Sequence, residues 1–297
     1  MNFVVPATSA NLGSGFDALG VALKFYNEIE INSATFASVS LHGEGAKFLK
    51  TCNQNIFINI FNKTYENLTG STDTFRFKFI NNIPLSRGLG SSSAVIISAL
   101  SAAYLMAAKK IGVAFDKREI LNAALAYESH PDNITPAAMG GFCAAVANEG
   151  KVIFSKNLLD RDLRAVIVIP NKPINTRHSR SALPKKVSIK DATFNISRSS
   201  LLTAALLTRD YDLLREASRD RLHEEIRMAQ MPELFAVREN ALASGALMSS
   251  LSGSGSSFFS LARDQGAASK IAVSLAAKFP GFRVEILEFD EEGLRFF

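Results

Sequence analysis

The most constraining feature of this chain is the stretch from Pro84 to Leu100, PLSRGLGSSSAVIISAL, where a proline, two glycines and three consecutive serines precede an apolar segment. From Ser91 to Lys109 the residues are small and apolar almost all round, a pattern that predicts a buried central helix. Glycine accepts left-handed backbone angles and lets amide groups approach a ligand, while a helix start offers unpaired N–H groups and positive partial charge. Pro84, Ser86, Arg87, Gly88, Leu89, Gly90, Ser91, Ser92 and Ser93 are therefore candidates for an anion-binding loop suited to a nucleotide triphosphate. No lysine follows the last glycine, which separates the loop from the Walker type. Taken alone, the same residues also fit a serine N-cap after a flexible loop, so a second motif has to decide.

At 297 residues and 47% hydrophobic, the chain has enough apolar material for a large core divided between two domains that share a cleft. The apolar run from Ala94 to Ala108 is broken by Ser98 and Ser101 and falls short of the roughly 20 residues that span a bilayer, so no membrane partner is expected. MNFVVPATSA lacks the basic and apolar regions of a secretory signal, and a cytoplasmic location is the expectation. Cys52 and Cys143 have no CxxC spacing, which argues for buried, reduced residues rather than disulfide or zinc chemistry. His42, His130, His178 and His223 form no HxxxH pair. The net charge of +5 is scattered and little interleaved with aromatics, so it suits a basic cleft for anionic small molecules better than a nucleic-acid surface.

Alternation predicts strands over 25–31 and 74–80, the second with Phe75, Phe77 and Phe79 on one face, and helical spacing covers 55–67 between them. Asp116 and Glu119 have the spacing of a capping box for a helix reaching about Glu128, after which HPDN and Gly140-Gly141 break the pattern. A hairpin over 142–154 and a strand over 164–169 follow. Further on come helices over 197–208, 211–218 and 233–244, a strand, glycine turn and strand over 246–261, a helix over 265–279 and a strand over 283–289. The change of rhythm places a domain boundary near residue 157, giving 1–157 and 158–297.

Two further segments accompany the glycine loop: PATSANLGSGFDALGVAL from Pro6 to Leu23, and LSGSGSSFFSL from Leu251 to Leu261. Three such motifs, in this order and at these separations, resemble the signatures of the galactokinase, homoserine kinase, mevalonate kinase and phosphomevalonate kinase (GHMP) superfamily. The resemblance implies an α+β fold: an N-terminal ATP-binding domain with a left-handed βαβ unit, and a C-terminal ferredoxin-like domain for substrate. The handedness belongs to the resemblance alone, since general rules favour right-handed crossovers. It also implies ATP with Mg2+ held by Ser92 and Glu128, with Ser91 and Ser93 as rivals in register. A carboxylate close to a helix C-terminus is electrostatically disfavoured, an independent reason to expect a cation beside Glu128. The third motif's Gly253 and Gly255 are expected to close a turn over the phosphates, and Asn55 is the candidate for the adenine side.

NLGSGFD, ESHPDN, NTRHSR and RLHEEIRMAQMPEL resemble the homoserine kinase version of the pattern. That branch implies L-homoserine, whose ammonium would fall to Asp17, its carboxylate to Arg180 and Arg227, and its orientation to Asn11, His130 and Thr176. Arginine suits a carboxylate because its planar fork donates two parallel hydrogen bonds. Asn133, Arg180 and Asn11 are the residues expected at the reacting side, with direct attack on the γ-phosphorus and no obligatory base; Asp132 as general base is the competing mechanism. His130 is read as a binder rather than a base. A mevalonate-type or other small-alcohol kinase is the alternative within the superfamily, and a catalytically silent ATP or amino-acid sensor the alternative outside enzymology. A homodimer is the base-rate expectation.

Overall fold

The computed structural model describes residues 1–46, 55–174 and 176–297, excluding the side chains of 176–178. Cys52 lies outside the described residues, whereas Cys143 is buried and free.

The first half is built on β1 (Asn2–Ala10), β2 (Leu19–Ser33), β3 (Ser38–Gly43) and β4 (Phe75–Asn81), with helix α1 (Ile56–Thr69) between β3 and β4. α2 (Ser91–Ile111), α3 (Lys117–Ala124) and α4 (Pro131–Met139) follow, then β5 (Phe142–Asn148) and β6 (Lys151–Asn157). Strand β2 is the spine. It pairs with β1 along most of its length, with β4 over 27–33 and with β5 over 19–21. Phe57, Phe61 and Tyr65 recur one helical turn apart on α1 and meet the alternate residues Phe75, Phe77 and Phe79 of β4 edge-on, at 4.6 Å for Phe57–Phe79 and 5.0 Å for Phe61–Phe75. The aromatic face expected over 74–80 is thus the floor under α1.

The second half comprises β7 (Arg164–Ile169), α5 (Thr176–Ser181), α6 (Ile189–Thr208), α7 (Leu214–Ala217), α8 (Glu224–Met228) and α9 (Glu233–Ala243). They are followed by β8 (Met248–Leu251), β9 (Phe258–Ala262), α10 (Gln265–Lys278), β10 (Arg283–Leu287) and β11 (Arg295–Phe296). Its four-stranded sheet runs β10-β7-β9-β8 with every neighbour antiparallel. With α9 and α10 as the crossing helices, that order is the βαββαβ ferredoxin-like plait. The C-terminal strand β11 returns to the first sheet, where Phe296 faces Phe3.

Several local expectations are corrected. Helix α3 does have the Asp116–Glu119 capping box but stops at Ala124, four residues before Glu128, and loosens into turns. HPDN does not break the pattern; it starts α4, with His130 extended as N-cap and Pro131 in the first turn, where proline's missing N–H costs nothing. Helix α6 begins at Ile189 rather than 197, capped by Ser188, whose side chain accepts the Asp191 N–H. The unpredicted β1 is buried on both faces along PATSA, so it shows no alternation. Helix α2 is 21 residues long and apolar enough to cross a bilayer by length and composition, beyond the run expected; 67% of its most apolar window is buried inside the protein.

Candidate active site

The three motifs meet through their backbones. The Thr8 N–H donates to the Leu89 carbonyl at 3.2 Å, Ser257 N–H to Arg87 at 2.8 Å and Gly253 N–H to Ala10 at 3.1 Å. The Ser252 hydroxyl donates to the Gly88 carbonyl at 2.7 Å. Gly88 (φ 75°) and Gly90 (φ 66°) are left-handed. A methyl group on Gly90 would lie 1.9 Å from Thr8 Oγ1, and one on Gly88 2.1 Å from the Ser252 carbonyl, so both positions demand glycine twice over. Gly90 then caps α2 without a side-chain hydrogen bond, leaving the amides of the first turn to a ligand. Ser91 Oγ is buried there with no partner among the described residues, while Ser92 is exposed.

These loops line a cleft of about 460 Å³ that gathers Asn11, Asp17, Ser86, Arg87, Gly88, Gly90, Ser91, Ser92, Ser93, Glu128, His130, Asn133, Arg180, Arg227 and Gly253. Pro84 and Leu89 are buried behind the loop, and Gly255 turns back to bond the Ser252 carbonyl; these three do not line the cleft. Arg87 has its guanidinium engaged by the carbonyls of Leu85, Pro170 and Asn171, so it clamps the loop to the end of β7. Thr176's side chain lies outside the described residues. Glu128 reaches the cleft from the turns that follow α3, where its N–H donates to the Ala124 carbonyl at 3.0 Å.

Opposite the glycine loop stands a cluster of charges. Arg180 grips Asp17 with two parallel bonds, Nη1–Oδ1 at 2.9 Å and Nη2–Oδ2 at 2.6 Å, so the acid and base expected to hold separate ends of a substrate hold each other here. His130 sits between carboxylates, with Nε2 3.7 Å from Asp17 and Nδ1 3.4 Å from Glu128; the Glu128 contact raises its pKa. Asp132, in the first turn of α4, also lines the cleft, and burial followed by the Asp17 charge pushes its carboxyl to about 7. Arg227 is 3% exposed, and burial lowers its pKa.

Asn11 and Asn133 are braced as well as placed. Asn11 Oδ1 accepts the Asp17 N–H at 3.0 Å and its Nδ2 donates to the Gly253 carbonyl at 2.9 Å. Asn11, Leu12 and Asp17 all have positive φ, an uncommon concentration of left-handed backbone outside glycine, held by those bonds. Asn133 Oδ1 accepts the Thr8 hydroxyl at 2.7 Å at the mouth of the glycine loop. Thr8 and Phe16 brace the cleft from behind its lining, and sequence reasoning missed both. Both lie inside the first motif, and Phe16 carries the guanidiniums of Arg180 and Arg227 over its ring at 5.4 and 5.2 Å.

Beside the cleft lies an apolar cavity of about 290 Å³ bounded by Ile29, Leu41, Phe57 and Phe79, which shares Ile56, Leu85 and Val95 with it. Asn55 does line this cavity, as the N-cap of α1, and Ser98 Oγ is buried at its wall without a partner among the described residues. A flat apolar ring with polar edges fits such a space next to the glycine loop.

Comparison with known proteins agrees with this geometry. The family model for the GHMP kinases N terminal domain matches residues 55–141, and that for the GHMP kinases C terminal matches residues 202–281. The chain is 54% identical to a homoserine kinase of Nitratiruptor sp. over 98% of its own length and 97% of the relative's, and 54% identical to that of Wolinella succinogenes over 99% of each. Its fold is similar to the crystal structure of homoserine kinase from Cytophaga hutchinsonii, with a TM-score of 0.87 at 27% identity over 99% of this chain and 96% of that one. A mevalonate kinase of L. major shares the fold, with a TM-score of 0.73 at 17% identity over 97% of this chain and 95% of that one. A glycine loop at a helix start, an acid–guanidinium cluster in one cleft and full-length relatives more than half identical agree: the chain belongs to the GHMP kinases, within their homoserine kinase branch.

Proposed function

We propose that this chain transfers the γ-phosphoryl group of ATP to the hydroxyl of L-homoserine, giving O-phospho-L-homoserine and ADP. The observation that carries the reading is the meeting, in one cleft, of a glycine loop at a helix start and a paired carboxylate and guanidinium. L-Homoserine is a zwitterion, and the Asp17–Arg180 pair already presents both complementary charges. Entry of the substrate exchanges that single pair for two, with Asp17 facing the ammonium and Arg180 and Arg227 the carboxylate. Asn11, His130 and Thr176 orient the remainder of the substrate in this reading.

On the nucleotide side, the amides at the start of α2 receive phosphate, and the unpartnered Ser91 hydroxyl fits an oxygen-rich ligand there. The apolar cavity with Asn55 and Ser98 takes the base. Ser92 and Glu128 fit a magnesium ion, which uses few protein oxygens and keeps water and phosphate ligands. When bound, the ion neutralises charge on the transferring phosphoryl group. The chain's own residues then act by positioning: Asn133, fixed by Thr8, orients the reacting side, and the helix start receives developing negative charge.

A second mechanism is favoured by one observation, the Asp132 carboxyl at about 7, which is close to the operating pH that suits a general base. Release of the hydroxyl proton to Asp132 then accompanies attack. The reading further divides the chain near residue 157 into nucleotide and substrate domains. It also takes the protein as a cytoplasmic homodimer without membrane or nucleic-acid partners. ADP release with ATP and Mg2+ tests the function, comparing L-homoserine with mevalonate, galactose, L-serine and no acceptor. Turnover with L-homoserine alone is expected; turnover with mevalonate instead would overturn the amino-acid reading.

A further inference from the structure

Arg227 owes its pose to a histidine that is absent from the cleft lining. His223 is 1% exposed and stacks on Phe16 at 4.8 Å, on the ring that also carries Arg227. A turn built by Asp220 holds it: Asp220 Oδ2 accepts the N–H groups of Leu222, His223 and Glu224 at 3.0, 2.7 and 2.8 Å, and Oδ1 accepts Asn195 Nδ2 at 2.7 Å. Arg227 follows His223, the N-cap of α8, by four positions, and its N–H donates to the His223 carbonyl at 3.1 Å, which brings both side chains to one face.

The partners of the imidazole select its tautomer. Nε2 lies 2.8 Å from the Gly13 carbonyl, which only accepts, so Nε2 carries the proton. Nδ1 lies 3.2 Å from Arg227 Nη1, which only donates, so Nδ1 is bare. Asp220 Oδ1 stands 3.7 Å from Nε2, beyond hydrogen-bond reach. Arg227 Nη1 also donates to the Gly253 carbonyl at 3.0 Å, and is therefore held from two sides. Arg227 lines the cleft, and the N–H groups not committed to these two acceptors are its donors for a carboxylate.

Resting on the reading that Arg227 receives the substrate carboxylate, we propose that His223 is a positioning residue for substrate recognition. By accepting from Nη1, it fixes the roll of the guanidinium and so the direction in which the remaining donors meet the carboxylate. The first motif thereby controls the arginine twice, through the Gly13 carbonyl that sets the tautomer and through the Phe16 ring beneath both side chains.

Two variants of similar chemistry separate positioning from packing. In His223→Asn the side-chain oxygen falls near the place of Nδ1 and keeps an acceptor for Arg227, but loses Gly13. In His223→Gln the longer amide reaches Gly13 and leaves Nη1 without that acceptor. Both lose the ring, so a purely structural role penalises them alike or favours glutamine. The expectation is that His223→Gln raises the L-homoserine KM about tenfold with the ATP KM within about twofold, while His223→Asn stays within about threefold of the parent, the range for a hydrogen bond to a charged group. Equal L-homoserine KM values for the two variants, or a matching rise in the ATP KM, would overturn the proposal. Should His223→Gln not fold by circular dichroism, His223→Phe keeps the stacked ring without either nitrogen and replaces it under the same criteria.

3-Aminopropan-1-ol, which is L-homoserine without the carboxylate, isolates the underlying reading. If Arg227→Ala leaves the preference for L-homoserine over this amine unchanged, the carboxylate reading fails. If Arg227→Ala abolishes that preference and His223→Gln preserves it, the positioning inference alone fails.

Discussion

The two walls of the cleft are built on different principles. The wall proposed for phosphate is backbone: left-handed glycines, the start of α2, and amide-to-carbonyl bonds that lock the three motifs together. The wall proposed for substrate is side chain: Asp17 against Arg180, His130 between Glu128 and Asp17, and Arg227 over Phe16. Backbone geometry of this kind cannot be rearranged without moving the loops, so the phosphate wall is preorganised. The ion pairs can exchange partners: Arg180 and Asp17 are both partly exposed, and a zwitterion offers each of them a counter-charge in place of the other. In the proposed reading, generic recognition of phosphate falls to a rigid surface and selective recognition of a small zwitterion to an exchangeable one.

The contrast breaks first at Gly90. Alanine there must adopt a left-handed angle and meet Thr8 Oγ1, so Gly90→Ala is expected to lower kcat/KM by about two orders of magnitude or more, equivalent to roughly 3 kcal/mol of transition-state stabilisation. Steady-state kinetics with titration of ATP binding check it, and a loss below tenfold would mean that the loop is not the phosphate cradle. On the other wall, Arg180→Ala is expected to raise the L-homoserine KM by roughly ten- to a hundredfold, the scale of a lost charged hydrogen-bond pair, and the ATP KM far less. Equal changes in both constants would contradict a carboxylate role.

Asn133 lies where the walls meet. Its replacement by alanine also frees the Thr8 hydroxyl, and about a tenfold fall in kcat is expected if it only orients the reacting side. Near-total loss would instead give it a direct part in the chemistry.

The smallest effect is thermodynamic. Folded Asp132 titrates near 7 against an ordinary 3.8, because of burial first and the Asp17 charge second. Between those values the folded chain keeps a proton that the unfolded chain has lost, so stability falls as pH rises from about 4 to about 7. Buried Glu224, at about 8 because of burial and then Asp220, adds a fall of the same sign up to that pH. Asp132→Asn is therefore expected to raise Tm at pH 8 by roughly 2–5 °C and to lose this advantage towards pH 4. Thermal melts across that range check it; a gain at pH 4 as large as at pH 8 would remove titration as the cause. A gain in Tm with a loss of activity would mark Asp132 as a residue kept at the expense of stability.

Legibility in the sequence followed the range of the interactions. The capping box of α3, the aromatic face of β4 and the glycine loop before α2 depend on neighbours within a few residues, and all stand where their spacing predicts. The end of α3 and the start of α4 were less legible, because Pro131 stops one helix and suits the first turn of another equally well. Thr8 and Phe16 gave no separate signal within the first motif, since a hydroxyl and a ring acquire a role only when Asn133, Arg180 and Arg227 arrive from more than a hundred residues away.

By itself, the sequence determined the class of chemistry: a glycine-rich loop at a helix start, acids and arginines in motifs of the right order, and the relatives these motifs imply. Only the tertiary structure decided that Asp17 and Arg180 bind each other, that Arg87 clamps β7, and that His223 holds Arg227 through a chosen tautomer. Local backbone preferences are written in consecutive residues, whereas the partner of a long charged side chain is set by whichever distant groups the fold brings within about 3 Å.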